Sequence, residues 1–121
     1  DWTRAWENRE LVDYYRGLIA LRMQLPGVCD KSAGADRRVL WVDEVAKDCV
    51  MACVDNRGAG SKWDRLLMIF NCADRSGDVQ VPAGNWQILA DGENSFRWQK
   101  ETLICAKVPV AAYSAVILGL K

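Results

Sequence analysis

The hydrophobic pattern of this chain changes its period once, near residue 28, and that change most constrains its fold. Before it, six apolar side chains follow the 3.6-residue period of one helix face: Leu11, Tyr14, Tyr15, Leu18, Leu21 and Leu25. Asn8 is a candidate N-cap and Pro26-Gly27 is a stop signal, so one amphipathic α-helix is predicted between them. Gly17 costs that helix up to about 1 kcal/mol relative to alanine, which predicts that another backbone segment passes close to it.

From Lys31 onward, the pattern predicts short β-strands separated by turns. Two long strands are apolar at consecutive positions, which is typical of strands that are covered on both faces. No segment between the strands is long enough for a helical crossover, which excludes a parallel sheet. The fold is therefore predicted to be mainly β, an antiparallel β-sandwich preceded by one amphipathic α-helix. The seven predicted strands cover residues 37–42, 47–56, 64–72, 78–81, 86–90, 102–108 and 113–118.

Composition excludes several classes of function. The 121 residues suit a single domain, and 16 basic side chains balance 16 acidic ones. A net charge of zero gives no electrostatic reason for a nucleic-acid or anionic-membrane partner, and no apolar run approaches the roughly 20 residues of a membrane span. The chain has no histidine, which removes Ser-His-Asp and Cys-His catalysis and His-ligated zinc. We expect no cofactor and no metal.

The five cysteines are Cys29, Cys49, Cys53, Cys72 and Cys105, with no C-x-x-C pair among them. Four of them stand in apolar runs, where a free cysteine behaves as a small hydrophobic residue. We expect reduced core thiols, which favours a reducing compartment.

Six tryptophans make sugar contact the main candidate for binding, since a flat indole can stack on a pyranose ring. Trp63 and Trp98 flank charged residues at junctions of loops and strands, where partial exposure is expected. They are the candidate carbohydrate-binding residues, and packing on a loop or on another part of the protein is the alternative. Trp41 and Trp86 lie within predicted strands and are expected to pack in the core. The carboxylate pairs Asp43-Glu44 and Asp91/Glu93 are expected to be solvated, because consecutive strand residues point to opposite faces and Asp91-Gly92 is a turn signature.

Several segments resemble one enzyme family in the same order along the chain. Residues 10–22, ELVDYYRGLIALR, followed by Pro26, resemble the last barrel helix of the α-amylase superfamily (glycoside hydrolase family 13), and most closely the type I pullulanases. Residues 66–71, LLMIFN, resemble a strand of that family's C-terminal sandwich. Residues 79–92 resemble its hairpin, and residues 108–118 its final strand. Residues 28–62 match only loosely, and Cys29, Cys49 and Cys53 are not positions typical of the family.

The resemblance implies a parent enzyme that cleaves α-1,6-glucosidic bonds of starch or pullulan on a (β/α)8 barrel, with two carboxyl groups as the catalytic pair. No position here matches a catalytic motif of that family, so no catalytic residue is assigned. Residues 1–27 would be a remnant of the last barrel helix, and residues 28–121 a non-catalytic C-terminal structural domain. The helical stripe from Leu11 to Leu25 is expected to pack either on the sandwich or on another body, which by the resemblance is the catalytic barrel of the same polypeptide. Two tryptophans among the first six residues do not look like a natural beginning.

Two other functions stay open at this point. An α-glucan-binding module would need an exposed aromatic pair on one sheet face or loop cluster. An immunoglobulin-like interaction domain would need a disulfide between its sheets, over a core tryptophan.

Overall fold

The computed structural model describes residues 2–121, except for the side chains of Trp2, Ala5 and Trp6. Its helices are α1 (Trp2–Glu7), α2 (Arg9–Arg22) and α3 (Pro26–Cys29). Asn8 precedes α2 as predicted, but its amide Nδ2 donates backwards to the Arg4 carbonyl (3.0 Å) and does not cap the helix. The main helix ends at Arg22, ahead of the predicted stop, and Pro26 instead starts the short helix α3, where its missing N–H has no cost.

Within residues 2–121, eight strands follow the helices, and all pairs between them are antiparallel. Several predicted boundaries are wrong, and the first strand also continues to Ala46, beyond its predicted end at residue 42. Arg37 and Arg38 belong to a 3-10 turn (Ala35–Arg38) ahead of the first strand. The predicted strand 102–108 is two strands, because Ala106 adopts a left-handed backbone conformation (φ 75°) that breaks it. The strands are β1 (Val39–Ala46), β2 (Cys49–Asp55), β3 (Arg65–Asn71), β4 (Gly77–Gln80), β5 (Trp86–Ala90), β6 (Leu103–Ile104), β7 (Lys107–Val110) and β8 (Ser114–Leu120).

The strands form two sheets, which confirms the predicted antiparallel sandwich. The large sheet has the order β1-β2-β3-β8-β5-β6, and the small sheet pairs β4 with β7. The chain changes sheets at Ala106, since β6 belongs to the large sheet and β7 to the small one. This arrangement of six strands and two differs from the seven-strand immunoglobulin order.

The large sheet is covered on both faces, as the consecutive apolar positions predicted. On β3, Leu67 and Ile69 face the core between the sheets, whereas Leu66 and Met68 face the core under helix α2. The inter-sheet core also contains Cys53, Trp86 and residues of both small-sheet strands. The second core joins the helix to the outer face of the large sheet.

The five cysteines are unbridged in the structure, but only two are core residues. Cys49 and Cys53 are buried on one strand, β2, whereas Cys29, Cys72 and Cys105 are exposed. The expectation of core packing is therefore wrong for Cys72 and Cys105, which lie just beyond the ends of strands. A bridge between the sheets has no candidate pair here, because both buried cysteines belong to the same strand. Among the described helices, none is long and apolar enough to cross a lipid bilayer.

Candidate docking surface

One side of helix α2 packs on the sandwich and forms the second core. Leu21 and Leu25 are almost fully buried against Leu66 and Leu89 of the large sheet and Trp63, and Leu18 is partly buried beside them. The Tyr14 hydroxyl donates to the backbone carbonyl of Asp91 (2.6 Å). The helix is therefore attached to the sandwich along most of its length.

Gly17 is buried where the helix meets the loop after β5. A Cβ atom at Gly17 would lie 2.0 Å from Ser95 Oγ and 2.9 Å from Phe96 Cδ2. Another segment does lie close to this glycine, but the nearest atoms are side-chain atoms of the loop and not the backbone that the sequence predicted. Glycine is needed here for space and not for a special backbone conformation.

A chain of buried hydrogen bonds continues from the helical end of the chain into the sheet. The backbone N–H of Gly27 donates to Asn56 Oδ1 (2.8 Å), and Asn56 Nδ2 donates to the Trp63 carbonyl (2.8 Å). The Trp63 indole Nε1 donates to Gln87 Oε1 (3.0 Å), and Gln87 Nε2 donates to the Trp98 carbonyl (3.3 Å). Since buried polar groups are costly without partners, this network fixes the relative positions of these elements.

The other side of helix α2 is an exposed apolar ridge. It consists of Leu11, Tyr15, Ile19 and Met23, spaced four residues apart and 54%, 57%, 62% and 82% exposed. The predicted stripe is thus divided between two directions: Tyr14, Leu18, Leu21 and Leu25 face the sandwich, while Leu11 and Tyr15 join this ridge. Sequence reasoning missed Ile19 and Met23, although the same four-residue spacing identifies them.

The helix-bearing face of the large sheet also has an uncovered apolar part, which we call the sheet patch: Val42, Val50 and Phe70. Val50 pairs with Phe70, and Val42 pairs with Ala52, so all three share the face on which Met68 packs under the helix. Val42 is 61% and Phe70 46% exposed. The ridge and the sheet patch therefore leave much of the helix-bearing side of the domain apolar and uncovered.

Two of the four tryptophans discussed above, Trp41 and Trp63, differ from the sequence expectation in their exposure. Trp63 is only 2% exposed, so the prediction that it contacts sugar is wrong; Gly119 beneath it leaves room for the indole inside the second core. Trp98 is half-buried at the edge of the same core. Trp86 is buried as predicted, whereas Trp41 is 37% exposed because β1 is an edge strand.

Asp91 is not the solvated turn residue that its sequence suggested. Its carboxylate is half-buried and accepts hydrogen bonds from the backbone N–H of Glu93 (2.9 Å) and of Asn94 (2.8 Å) and from Arg97 Nη1 (2.8 Å). Burial raises the pKa of Asp91, but these hydrogen bonds outweigh burial and hold that pKa below its ordinary value. The carboxylate therefore stays ionised and organises the loop that supports the helix.

The carboxylate of Asp30 is held in a similar way. Arg38 donates to it at 2.6 Å and also bonds the Asp55 and Arg57 carbonyls, which connects the segment after α3 to the end of β2. The hydrogen bond from Arg38 lowers the pKa of Asp30 to about 2. Within residues 2–121, no three cysteine, aspartate or glutamate side chains cluster so that they could hold a metal ion.

No family model matches this chain. Its fold is similar to parts of three solved pullulanases. Pullulanase from Bacillus acidopullulyticus is 25% identical with a TM-score of 0.82, over 98% of this chain and 15% of that one. Pullulanase type I from Bacillus subtilis strain 168, solved with maltose, is 26% identical with a TM-score of 0.81, over 99% and 17% of the two chains. Pullulanase from Paenibacillus barengoltzii, solved with maltohexaose and α-cyclodextrin, is 24% identical with a TM-score of 0.76, over 99% and 18%.

This chain spans less than a fifth of the length of those proteins. Since the match covers 98% of this chain, it includes helix α2 together with the sandwich. The resemblance noted in the sequence is thereby confirmed: over nearly its whole length, the chain is similar to one domain-sized part of type I pullulanases.

Proposed function

We propose that this domain is a non-catalytic structural module of a pullulanase-type debranching hydrolase, and that it docks on that enzyme's catalytic barrel. Residues 1–27 would belong to the last barrel helix and residues 28–121 to the C-terminal sandwich. The parent would cleave α-1,6-glucosidic bonds. The observation that carries the proposal is the exposed ridge on helix α2, opposite the side that is buried in the sandwich.

The energetics of the ridge favour a covering partner. Burying a large apolar side chain completely contributes about 1.5–3 kcal/mol. Leu11, Tyr15, Ile19 and Met23 are each more than half exposed, so covering them would add about 1 kcal/mol apiece. A helix with apolar sides in two directions is typical of a position between two packed bodies, and the sandwich is one of them.

The carboxylates of the described residues support a structural role. Glycoside hydrolysis needs one carboxyl group that keeps its proton near neutral pH and a second that attacks or activates water. The three acidic groups with a shifted pKa, Asp30, Asp55 and Asp91, all have it lowered, and each carboxylate is paired with an arginine. Such groups are ionised partners in folded structure and poor general acids.

The experiment compares the isolated 121-residue chain with the native polypeptide that contains it. Tyr15→Ser and Ile19→Ser remove ridge side chains that do not contact the sandwich core. In the isolated chain, we expect the free energy of unfolding to change by about 0.5 kcal/mol or less per substitution. In the native polypeptide, we expect both to lower the melting temperature of the barrel-containing unit. Leu103→Ser, a side chain 51% exposed on β6, is the matched control and should have little effect in either context.

Three results would contradict the proposal. One is a native polypeptide without a (β/α)8 barrel. Another is ridge variants that leave the melting temperature of the complete enzyme unchanged. The third is hydrolysis of pullulan by the isolated chain, which would mean that the domain has a catalytic site of its own.

A further inference from the structure

A groove runs between the edge of the large sheet and the small sheet, away from helix α2. We propose that it binds a neutral oligosaccharide, with Trp41 as the stacking platform. This site lies outside the docking surface and does not depend on the function proposed above. The groove measures about 460 Å³, a size in the usual range of ligand sites.

The strand register places the groove residues. Trp41 pairs with Cys53 and Asp43 pairs with Met51, so both β1 side chains lie on the inter-sheet face of the edge strand. Gln80 and Pro82, at the end of β4 and just after it, line the opposite wall. The groove is open because no further strand of the large sheet lies beyond β1.

The chemistry of the lining fits a sugar. Trp41 offers a flat apolar face, and it is 37% exposed over a floor that includes the buried side chains of Met51 and Val81. The Asp43 carboxylate is an acceptor, and the Gln80 amide is both donor and acceptor, which suits hydroxyl groups that also do both. Among the described residues, no lysine or arginine lines the groove, and the acidic side chains disfavour an anion.

The groove stays accessible when the domain docks as proposed. Successive side chains of a strand point to opposite faces, so Trp41 and Val42 face opposite ways on β1. Val42 belongs to the sheet patch on the helix-bearing side, while Trp41 faces the small sheet. A partner covering the ridge and the sheet patch would therefore leave Trp41 free.

The test titrates the 121-residue chain separately with maltohexaose and with cellohexaose, followed by calorimetry and tryptophan fluorescence. We expect saturable binding of at least one sugar with a dissociation constant of about 1 mM or tighter. Trp41→Ala should weaken binding about tenfold or more, and Gln80→Ala should weaken it less. Tyr113→Ala is the matched control, because Tyr113 is a 74% exposed aromatic residue outside the groove, and its affinity should be unchanged. Trp41→Phe, which retains an aromatic face, should keep part of the affinity and guards against misfolding of the alanine variant.

The site is supported if the wild type binds either sugar and Trp41→Ala does not. Comparing the affinities for the two sugars identifies the glycosidic linkage that the site accepts. The proposal is overturned if neither sugar binds at tens of millimolar, roughly tenfold above the expected constant. It is also overturned if Trp41→Ala binds as tightly as the wild type. Each of these results leaves the test of the helix ridge unaffected.

Discussion

Replacing Gly17 by alanine tests whether the helix and the loop after β5 are in the close contact described above. The new Cβ would lie 2.0 Å from Ser95 Oγ, 2.8 Å from Ser95 Cβ and 2.9 Å from Phe96 Cδ2. Ser95 is 1% exposed, so its side chain has little space into which it can rotate. Overpacking of this kind costs about 1–3 kcal/mol, whereas alanine favours the helix by up to about 1 kcal/mol. The net expectation is a loss of about 1–2 kcal/mol in the free energy of unfolding.

Urea unfolding followed by circular dichroism measures this loss, with Gly77→Ala as the matched control. No atom of the described part of the chain lies within 4 Å of a Cβ built at Gly77, so the same chemical change should alter stability there by about 0.5 kcal/mol or less. Ser95→Gly in the Gly17→Ala background should restore part of the loss and give a coupling energy of about 0.5 kcal/mol or more. The packing argument would be refuted by a Gly17→Ala variant as stable as the wild type, or by a double variant with no coupling.

Three further predictions concern the cores and the loop, all measured by urea unfolding. Leu21→Ala should cost about 2–5 kcal/mol because it empties a buried site, while Ile19→Ala on the ridge of the same helix should cost far less; equal losses would contradict the two-sided helix. Asn56→Ala should cost about 1–3 kcal/mol, since it leaves the Gly27 N–H without its acceptor and removes one of two donors to the Trp63 carbonyl, the other being Ser61 Oγ; a neutral change would contradict that network. Asp91→Asn should cost about 1–3 kcal/mol at neutral pH. The pKa of Asp91 is lower in the folded protein than in the unfolded chain, where it is about 3.9. The stabilisation is therefore present above about pH 3.9 and is lost as pH falls through the folded pKa, so the stabilities of the wild type and the variant should converge in acid. A constant difference in stability down to low pH would show that the Asp91 charge is not the cause.

The sequence predicted the positions of the helix and the strands better than the burial of individual side chains. Hydrophobic period and turn residues are local properties, so helix α2 and most strands could be placed from them. Whether a strand residue is buried depends on its neighbours in the sheet, which are distant along the chain. Trp41 was predicted to be buried, but its strand lies at the edge of the sheet. Trp63 was predicted to be partly exposed, but it packs on Gly119, 56 residues later in the chain.

The helical stripe shows the same limit at a smaller scale. A stripe that includes both Tyr14 and Tyr15 spans more of the helix surface than one flat partner can cover. Periodicity identified the stripe as apolar but could not predict which of its residues face the sandwich and which are exposed. That depends on where the loop containing Ser95 and the side chain of Trp63 contact the helix.

The two-sided helix bears on how the domain should be delimited. A boundary at residue 27 would separate the helix from the sandwich, yet Leu21 and Leu25 lie in one core with Leu66, and Gly27 donates into the Asn56 network. If the opposite ridge packs on a barrel, helix α2 contributes apolar side chains to two cores, one in the sandwich and one in the barrel. Relative motion of the two bodies would then expose one of those cores. On this reasoning the sandwich would hold the last barrel helix in position, a structural contribution that requires no catalytic group of its own.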